Sequence, residues 1–541
     1  LAQMDPDRAA DQEELYDEFG NYLGPDLQNQ EEAAESDSDQ EDLESQIRES
    51  NAQMVPRDQE MNEEYYRRGR QVVLNEDKNY YPDAEAVFGE GVEAKVEEED
   101  HQPITQPIIE PPKTKFNQVF RREEPELKYS TSYMVQVMSR PQLIRNVAIL
   151  GALHHGKTLL SDMLIESTLA GDKKATNKNK PQRYTDSRVD EIDKEISVKA
   201  APFQVLLEDL RKKNYAFNVI DTPGHPDFKD EIAASLRLAD NALIVVDVLE
   251  GVTAYTEILI KMALKTEKKM VFCLNKLDRL VLELKLPPND GYLKIKAVLD
   301  EVNITIQQFL ASHSHSKVDK EKAFVSPLNG NVVFGCTEFK ALFTLESFAA
   351  MYRQKQEVVK DLSARARIHG AQTKIDEQLI DAAKFSHFLW GDVYFNPETR
   401  KFQKKWQMTA QGPSPSSFVH FVLEPFYKII TQSLTADKDN LQRILKLELL
   451  GISSQFSKAE YELDIKVLLQ LVLSRTFGGG VATLTQTMVA KFQDAKEATA
   501  DLVKVNYARS TDDPSLERQI SECSPKGPLC INIVKHFYDE R

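Results

Sequence analysis

Cysteine, tryptophan and long apolar runs are what this 541-residue chain has least of. Its 4 cysteines, Cys273, Cys336, Cys523 and Cys530, form no zinc-type CxxC pair and fit a reducing compartment. No apolar run approaches the ~18 residues that a membrane-crossing helix needs, so no membrane partner is expected. The first residues are acidic and polar, which excludes a signal peptide in the sequence as it stands. Leu rather than Met stands at position 1, as in a chain that lacks its true start. The length is too great for one core, and about two to four domains are expected.

The net charge of −18 hides a division. Residues 1–110 hold 32 acidic and 8 basic residues, a net of −24, whereas the rest hold 54 and 60, a net of +6. An acidic extension therefore precedes a mildly basic body. Residues 1–60 are too polar to offset their ordering entropy and are expected to be disordered in isolation. Leu15 to Pro25 (LYDEFGNYLGP) places aromatics inside this acidic stretch and reads as a docking segment. So does the run from Val72 to Phe120, whose prolines between Pro103 and Pro112 favour an extended chain lying on a partner.

From about Leu143 the rhythm becomes β-α-β. Strands are expected over 147–150, 216–220, 242–247 and 270–275, and helices over 159–169, 229–238 and 256–264. That alternation predicts an α/β fold: a mainly parallel sheet, helices on both faces, and ligands at the strand carboxyl ends. The pattern breaks near Phe343. Residues 343–410 read as an inserted subdomain with a charged helix and a hairpin turning at Asn396-Pro397-Glu398. An amphipathic helix resumes over 417–430, with helical segments over 440–450, 458–475 and 481–491. Residues 527–534 read as a new strand with nothing after it, the start of a cut domain. The expected divisions are 1–115, a linker at 116–142, a core at 143–342, the insert at 343–410, a helical remainder at 411–520 and the new domain at 521–541.

The chemistry is carried by three motifs, each at the end of an expected strand. The first is Gly151-x-x-x-x-Gly156-Lys157-Thr158. Its backbone N–H groups and the following helix N-terminus cradle a polyphosphate, with His154, His155 and Leu159 in the same wrap. Lys157 reaches the β- and γ-phosphates and the Thr158 hydroxyl ligates Mg²⁺. The second is Asp221-Thr222-Pro223-Gly224-His225. Asp221 holds Mg²⁺ through water, Gly224 offers its N–H to a γ-phosphate, and His225 is the candidate to orient an attacking water. The third is Asn275-Lys276-Leu277-Asp278. The Asp278 carboxylate accepts from guanine N1–H and N2–H, a donor pair adenine lacks. Asn275 braces the loop, and the Lys276 stem covers the base. Together the motifs select GTP (or GDP) over ATP. Ser197 stands where a first switch loop belongs and is a further Mg²⁺ candidate, although a plain loop serine fits almost as well. Gly335 and Cys336, after a strand-like stretch, could offer N–H groups to guanine O6.

At these residues the chain resembles the translational GTPases of the elongation factor G and elongation factor 2 class, whose second motif also ends in His. The segments LYDEFGNYLGP, HHGKT at 154–158, RLVLELKLPPND at 279–290, SPLNGNVVF at 326–334 and LWGDVYFNPETRKF at 389–402 resemble the spliceosomal branch of that class. These are the GTPases of the U5 small nuclear ribonucleoprotein, and the acidic extension, which translation factors lack, is similar too. The resemblance implies a nuclear protein with a β-barrel domain beginning where this chain stops. It implies U5 RNA, the large U5 scaffold protein, the U5 RNA helicase that unwinds U4/U6, and other spliceosomal proteins as partners. Two departures bear on turnover. Leu153 and His154 stand where translational factors usually carry Val and Asp, and Ser197 stands for their threonine. The pattern supports GTP binding more firmly than hydrolysis. A ribosomal translocase or assembly GTPase, and a scaffold whose GTP is never hydrolysed, remain open alternatives.

Overall fold

The computed structural model describes residues 87–89, 126–170, 183–186, 188–313, 323–368, 381–409, 412–435, 464–477, 480–506, 514–525 and 527–536. The chain divides into two units, Leu1–Phe116 and Asn117–Arg541. The docking segment at 15–25, the proline-rich stretch and the expected helix at 440–450 lie outside the described residues.

The second unit is built on a seven-stranded sheet. Its strands are β1 (Ile144–Leu150), β2 (Ala201–Glu208), β3 (Asn214–Asp221), β4 (Asn241–Asp247), β5 (Lys269–Asn275), β6 (Val332–Cys336) and β7 (Ala341–Phe343). Their spatial order is β2-β3-β1-β4-β5-β6-β7. The five central strands pair in parallel, and β2 and β7 close the two edges antiparallel. The four strands expected from the sequence are the inner strands β1, β3, β4 and β5. β4 is buried along all 7 of its residues, which is why it reads as a continuous apolar run. The edge strand β2 is exposed at alternate positions in its first half and carries Pro202 and Gln204, so it reads weakly.

The helices are α1 (Thr131–Met138), α2 (Lys157–Thr168), α3 (Val189–Lys194), α4 (Lys229–Leu238), α5 (Ala254–Lys265), α6 (Asp278–Leu282) and α7 (Pro288–Ser312). After the sheet come α8 (Leu345–Ile368), α9 (Ala382–Phe388), α10 (Glu424–Thr435), α11 (Ile465–Phe477), α12 (Gly480–Lys491), α13 (Ala495–Asn506) and α14 (Pro514–Ser521). Strand alternation sends β1 side chains to both faces. Val147 and Ile149 pack with Leu160 and Leu164 of α2 and Leu484 of α12. Ala148 and Leu150 join Ile232 of α4, Leu259 of α5 and Val298 of α7. Helices thus cover both faces, and the loops leaving β1, β3 and β5 emerge together at the carboxyl edge.

In the 343–410 block the expected hairpin forms, with Tyr394–Asn396 antiparallel to Lys401–Gln403. Asn396 fixes its turn by accepting from the Glu398 and Thr399 N–H groups at 2.9 and 3.2 Å. Phe385, Leu389 and Trp390 of this block share one apolar cluster with the sheet. The expected strand at 527–534 is a correction. The segment is extended without a ladder partner among the described residues, and Leu529, Ile531 and Ile533 stay 86%, 75% and 66% exposed. A strand exists only against a neighbour, and none is present among the described residues.

Candidate functional site

β1 delivers the phosphate loop directly into α2, whose N-cap Gly156 sits at φ +94°. A side chain there is strained by the backbone and would also collide with the Asn275 amide. Gly224, in the loop after β3, is equally constrained. A Cβ would meet the Lys157 ammonium and lie 2.9 Å from the Leu153 Cα. The second motif is therefore pressed against the first, and glycine is what permits the approach.

Lys157 is buried, and its Nζ donates to the Ala152 carbonyl at 2.8 Å. Burial pulls its pKa down to about 8, against the favourable field of Asp221 and Asp186. Asp221, 2% exposed, is pushed up to about 6 by desolvation, against the pull of Lys157. Its Oδ2 accepts from the Thr185 hydroxyl at 3.1 Å, and its Oδ1 has no hydrogen-bond partner. The two hydroxyls predicted to share a cation are adjacent. Thr158 Oγ1 lies 3.2 Å from Ser197 Oγ, which donates to Asp186 at 2.8 Å.

At the other end of the site Asn275 ties three segments together. Its amide donates to the His155 carbonyl at 2.9 Å and to Thr337 Oγ1 at 3.0 Å, and its oxygen accepts from the Thr337 N–H at 3.1 Å. Asp278, 8% exposed, accepts from the Cys336 thiol at 2.8 Å, and burial raises its pKa. Gly335 lies inside β6, and its carbonyl accepts from the Leu277 N–H.

Four further predicted residues have surroundings of their own. His155 is buried, with its ring nitrogens 3.2 Å from the Val245 carbonyl and 3.1 Å from Glu250. Desolvation holds its pKa down. His225 caps its own turn, accepting from the Asp227 N–H at 3.3 Å beside the Phe228 ring. Lys276, at φ +61°, pairs with the buried Asp247 at 3.2 Å. His154 is exposed at φ +58°.

Sequence reasoning assigned no role to Asp162 or Thr337, and it placed Thr185 and Asp186 only within the 183–199 stretch where a first switch loop belongs. Asp162, on α2, accepts from the Tyr184 N–H at 2.9 Å, while its Oδ2 is buried without a partner. Desolvation pushes its pKa up to about 7. An acidic residue among Leu159, Leu160, Met163 and Leu164, on a helix buried against the sheet, was the signal available. The residues fit a magnesium nucleotide. A buried ammonium, an uncompensated carboxylate oxygen and two adjoining hydroxyls lie around a glycine-shaped cradle, the donor set that polyphosphate and Mg²⁺ use.

This fold and loop set define a P-loop GTP-binding domain of the elongation-factor type. Residues 142–399 match the family described as the elongation factor Tu GTP binding domain. Residues 13–125 match the N-terminus of the 116 kDa U5 small nuclear ribonucleoprotein component. The chain belongs to the U5 small nuclear ribonucleoprotein component family, a branch of the elongation-factor-like GTPases. It is 37% identical over 535 residues to the 110 kDa U5 small nuclear ribonucleoprotein component CLO of Arabidopsis thaliana, covering 97% of this chain and 50% of that one. It is 37% identical to the pre-mRNA-splicing factor cwf10 of Schizosaccharomyces pombe, with the same coverage. It is 30% identical to the pre-mRNA-splicing factor SNU114 of Saccharomyces cerevisiae, covering 86% of this chain and 43% of that one. The chain spans about half the length of the curated relatives it matches.

Proposed function

We propose that the chain binds GTP (or GDP) with Mg²⁺ and acts as a GTP-dependent switch or structural GTP-binder of the U5 ribonucleoprotein in pre-mRNA splicing. The observation carrying this reading is the buried Lys157 ammonium together with the unpartnered Asp221 Oδ1, on the same sheet edge as Asp278. Lys157 and the loop from Gly151 to Thr158 hold the polyphosphate. Thr158, Ser197 and Asp221 hold the cation, and Asp278 reads guanine, with Asn275 keeping the two ends in register. Bound Mg²⁺ neutralises charge on the phosphate oxygens. Gly224 supplies an N–H toward the γ-phosphate end, and His225 orients water after leaving its own turn, so turnover depends on that loop rearranging.

Following the family, the setting is nuclear, with U5 RNA, the large U5 scaffold protein and the U5 helicase as partners in spliceosome activation and disassembly. The test is the nucleotide released on denaturing purified protein, together with the RNA that co-purifies. Guanine nucleotide and U5 RNA are expected. Bound ATP would sink the guanine assignment, and ribosomal RNA would point to a translational role instead.

A further inference from the structure

The hairpin of the inserted block and the segment that follows it carry a surface that the nucleotide site does not use. Arg400, Lys401, Lys404, Lys405, Trp406 and Met408 fall within nine consecutive positions and are all exposed. Trp406 is 60% and Met408 73% exposed, well above what a buried aromatic or thioether side chain shows. The chain has only two tryptophans, and the other, Trp390, is 9% exposed inside the aromatic cluster. Lys401 lies on the second strand of the hairpin, and Lys404, Lys405 and Trp406 lie in the loop that follows it. Phe402 turns inward between Lys401 and Lys404, stacking on Phe388 at 5.1 Å and 12° and packing against Phe395 at 5.3 Å. Lys401, Lys404 and Lys405 stay exposed around this aromatic base, and Phe388 is itself 43% exposed.

The charge is one-sided. From Thr399 to Leu423 the sequence has no Asp or Glu, in a chain whose net charge is −18. Lys401, Lys404 and Lys405 form no ion pair among the described residues. An exposed indole among lysines suits a partner with a polyanionic backbone and flat, unpaired rings.

We propose that this surface is a binding face for single-stranded RNA. One unpaired base stacks on Trp406, and the flanking phosphates lie on Lys401, Lys404 and Lys405. The proposal rests on the ribonucleoprotein reading above and is independent of the GTP cradle. It names the binding face and the form of the RNA.

The test uses the full chain and a short oligouridylate, followed by tryptophan fluorescence. Binding is expected to quench Trp406 while the Trp390 emission persists. Trp406→Ala is expected to weaken binding about tenfold, the ~1.4 kcal/mol that a stacked base contributes. Lys404→Ala with Lys405→Ala is expected to lower the salt dependence of log K by about 1.4, roughly 0.7 for each phosphate no longer neutralised. Both variants should bind a fluorescent GTP analogue as the parent chain does, so loss of RNA binding is separable from failure of the nucleotide site. Three outcomes would overturn the proposal. These are RNA affinity unchanged in both variants, duplex RNA binding as tightly as single strand, or anionic vesicles competing at equal charge with Trp406→Ala making no difference.

Discussion

The two ends of the nucleotide site are built on opposite principles. At the base end Asn275 and Thr337 satisfy each other, Asn275 also donates to the His155 carbonyl, Asp278 accepts from the Cys336 thiol, and none of the three has an orphaned buried atom. At the phosphate end Asp162 Oδ2 and Asp221 Oδ1 are buried without partners, and Lys157 sits desolvated among them. A satisfied network is rigid before any ligand arrives, whereas unmatched buried charge costs stability until something neutralises it. The guanine pocket is thus preformed, while the phosphate pocket stores a debt that a magnesium nucleotide offsets.

The contrast can be broken most forcefully at Lys157. Lys157→Ala removes the only buried ammonium described beside Asp221, and GTP affinity should fall about 100- to 1,000-fold in a fluorescent-nucleotide titration. Retained affinity would mean the cradle works through backbone alone. Asp278→Asn should next cost GTP roughly 100-fold and transfer preference to xanthine nucleotides, measured by competition. Equal loss of both would place the base elsewhere.

A smaller effect concerns pH in the nucleotide-free protein. Asp162 has a folded pKa of about 7 and Asp221 of about 6, both above the unfolded value of 3.8. Between pH 4 and 7 these two carboxyls therefore hold more protons in the native state than in the unfolded chain, and their contribution to stability falls as pH rises through that window, while His155, held below its ordinary value, opposes them. Melting followed by circular dichroism should show Tm rising by ~5 °C on acidifying from pH 7.5 to 5.5. Asp162→Asn should flatten that rise, as should saturation with GTP and Mg²⁺. A Tm that drops on acidification in the empty protein contradicts the stored-charge account. Least affected should be binding in His225→Ala. GTP affinity should change less than about twofold because the ring is held by its own turn, while single-turnover hydrolysis falls about 100-fold. Persistent hydrolysis removes the role assigned to His225.

What the sequence made legible follows from how each residue declares itself. Lys157, Thr158, Asp221, Asn275 and Asp278 occur in short strings at the ends of apolar runs, so motif and strand confirm each other without tertiary information. Asp162, Thr337 and Asp186 act across 22, 62 and 11 positions of chain, respectively. Nothing local marks such pairings, which exist only once the sheet order is fixed. The strands divide similarly. β4, wholly buried, was plain, whereas β2 was not, because an edge strand with one wet face lacks a strong apolar signal. His155 divides in the same way: the motif marks its backbone as part of the phosphate wrap, whereas the burial of its ring between Val245 and Glu250 shows only in the fold.

The pairing of β2 with β3 has one more result. Ala201, the first residue after the loop carrying Ser197, stands opposite Asp221 in the ladder. The far end of that loop and the carboxylate that fits the cation are thus riveted to one hairpin. A partner tugging on the loop cannot peel it away whole. At its other end the same loop is pinned by side chains instead, with Tyr184 on Asp162, Thr185 on Asp221 and Asp186 on Ser197.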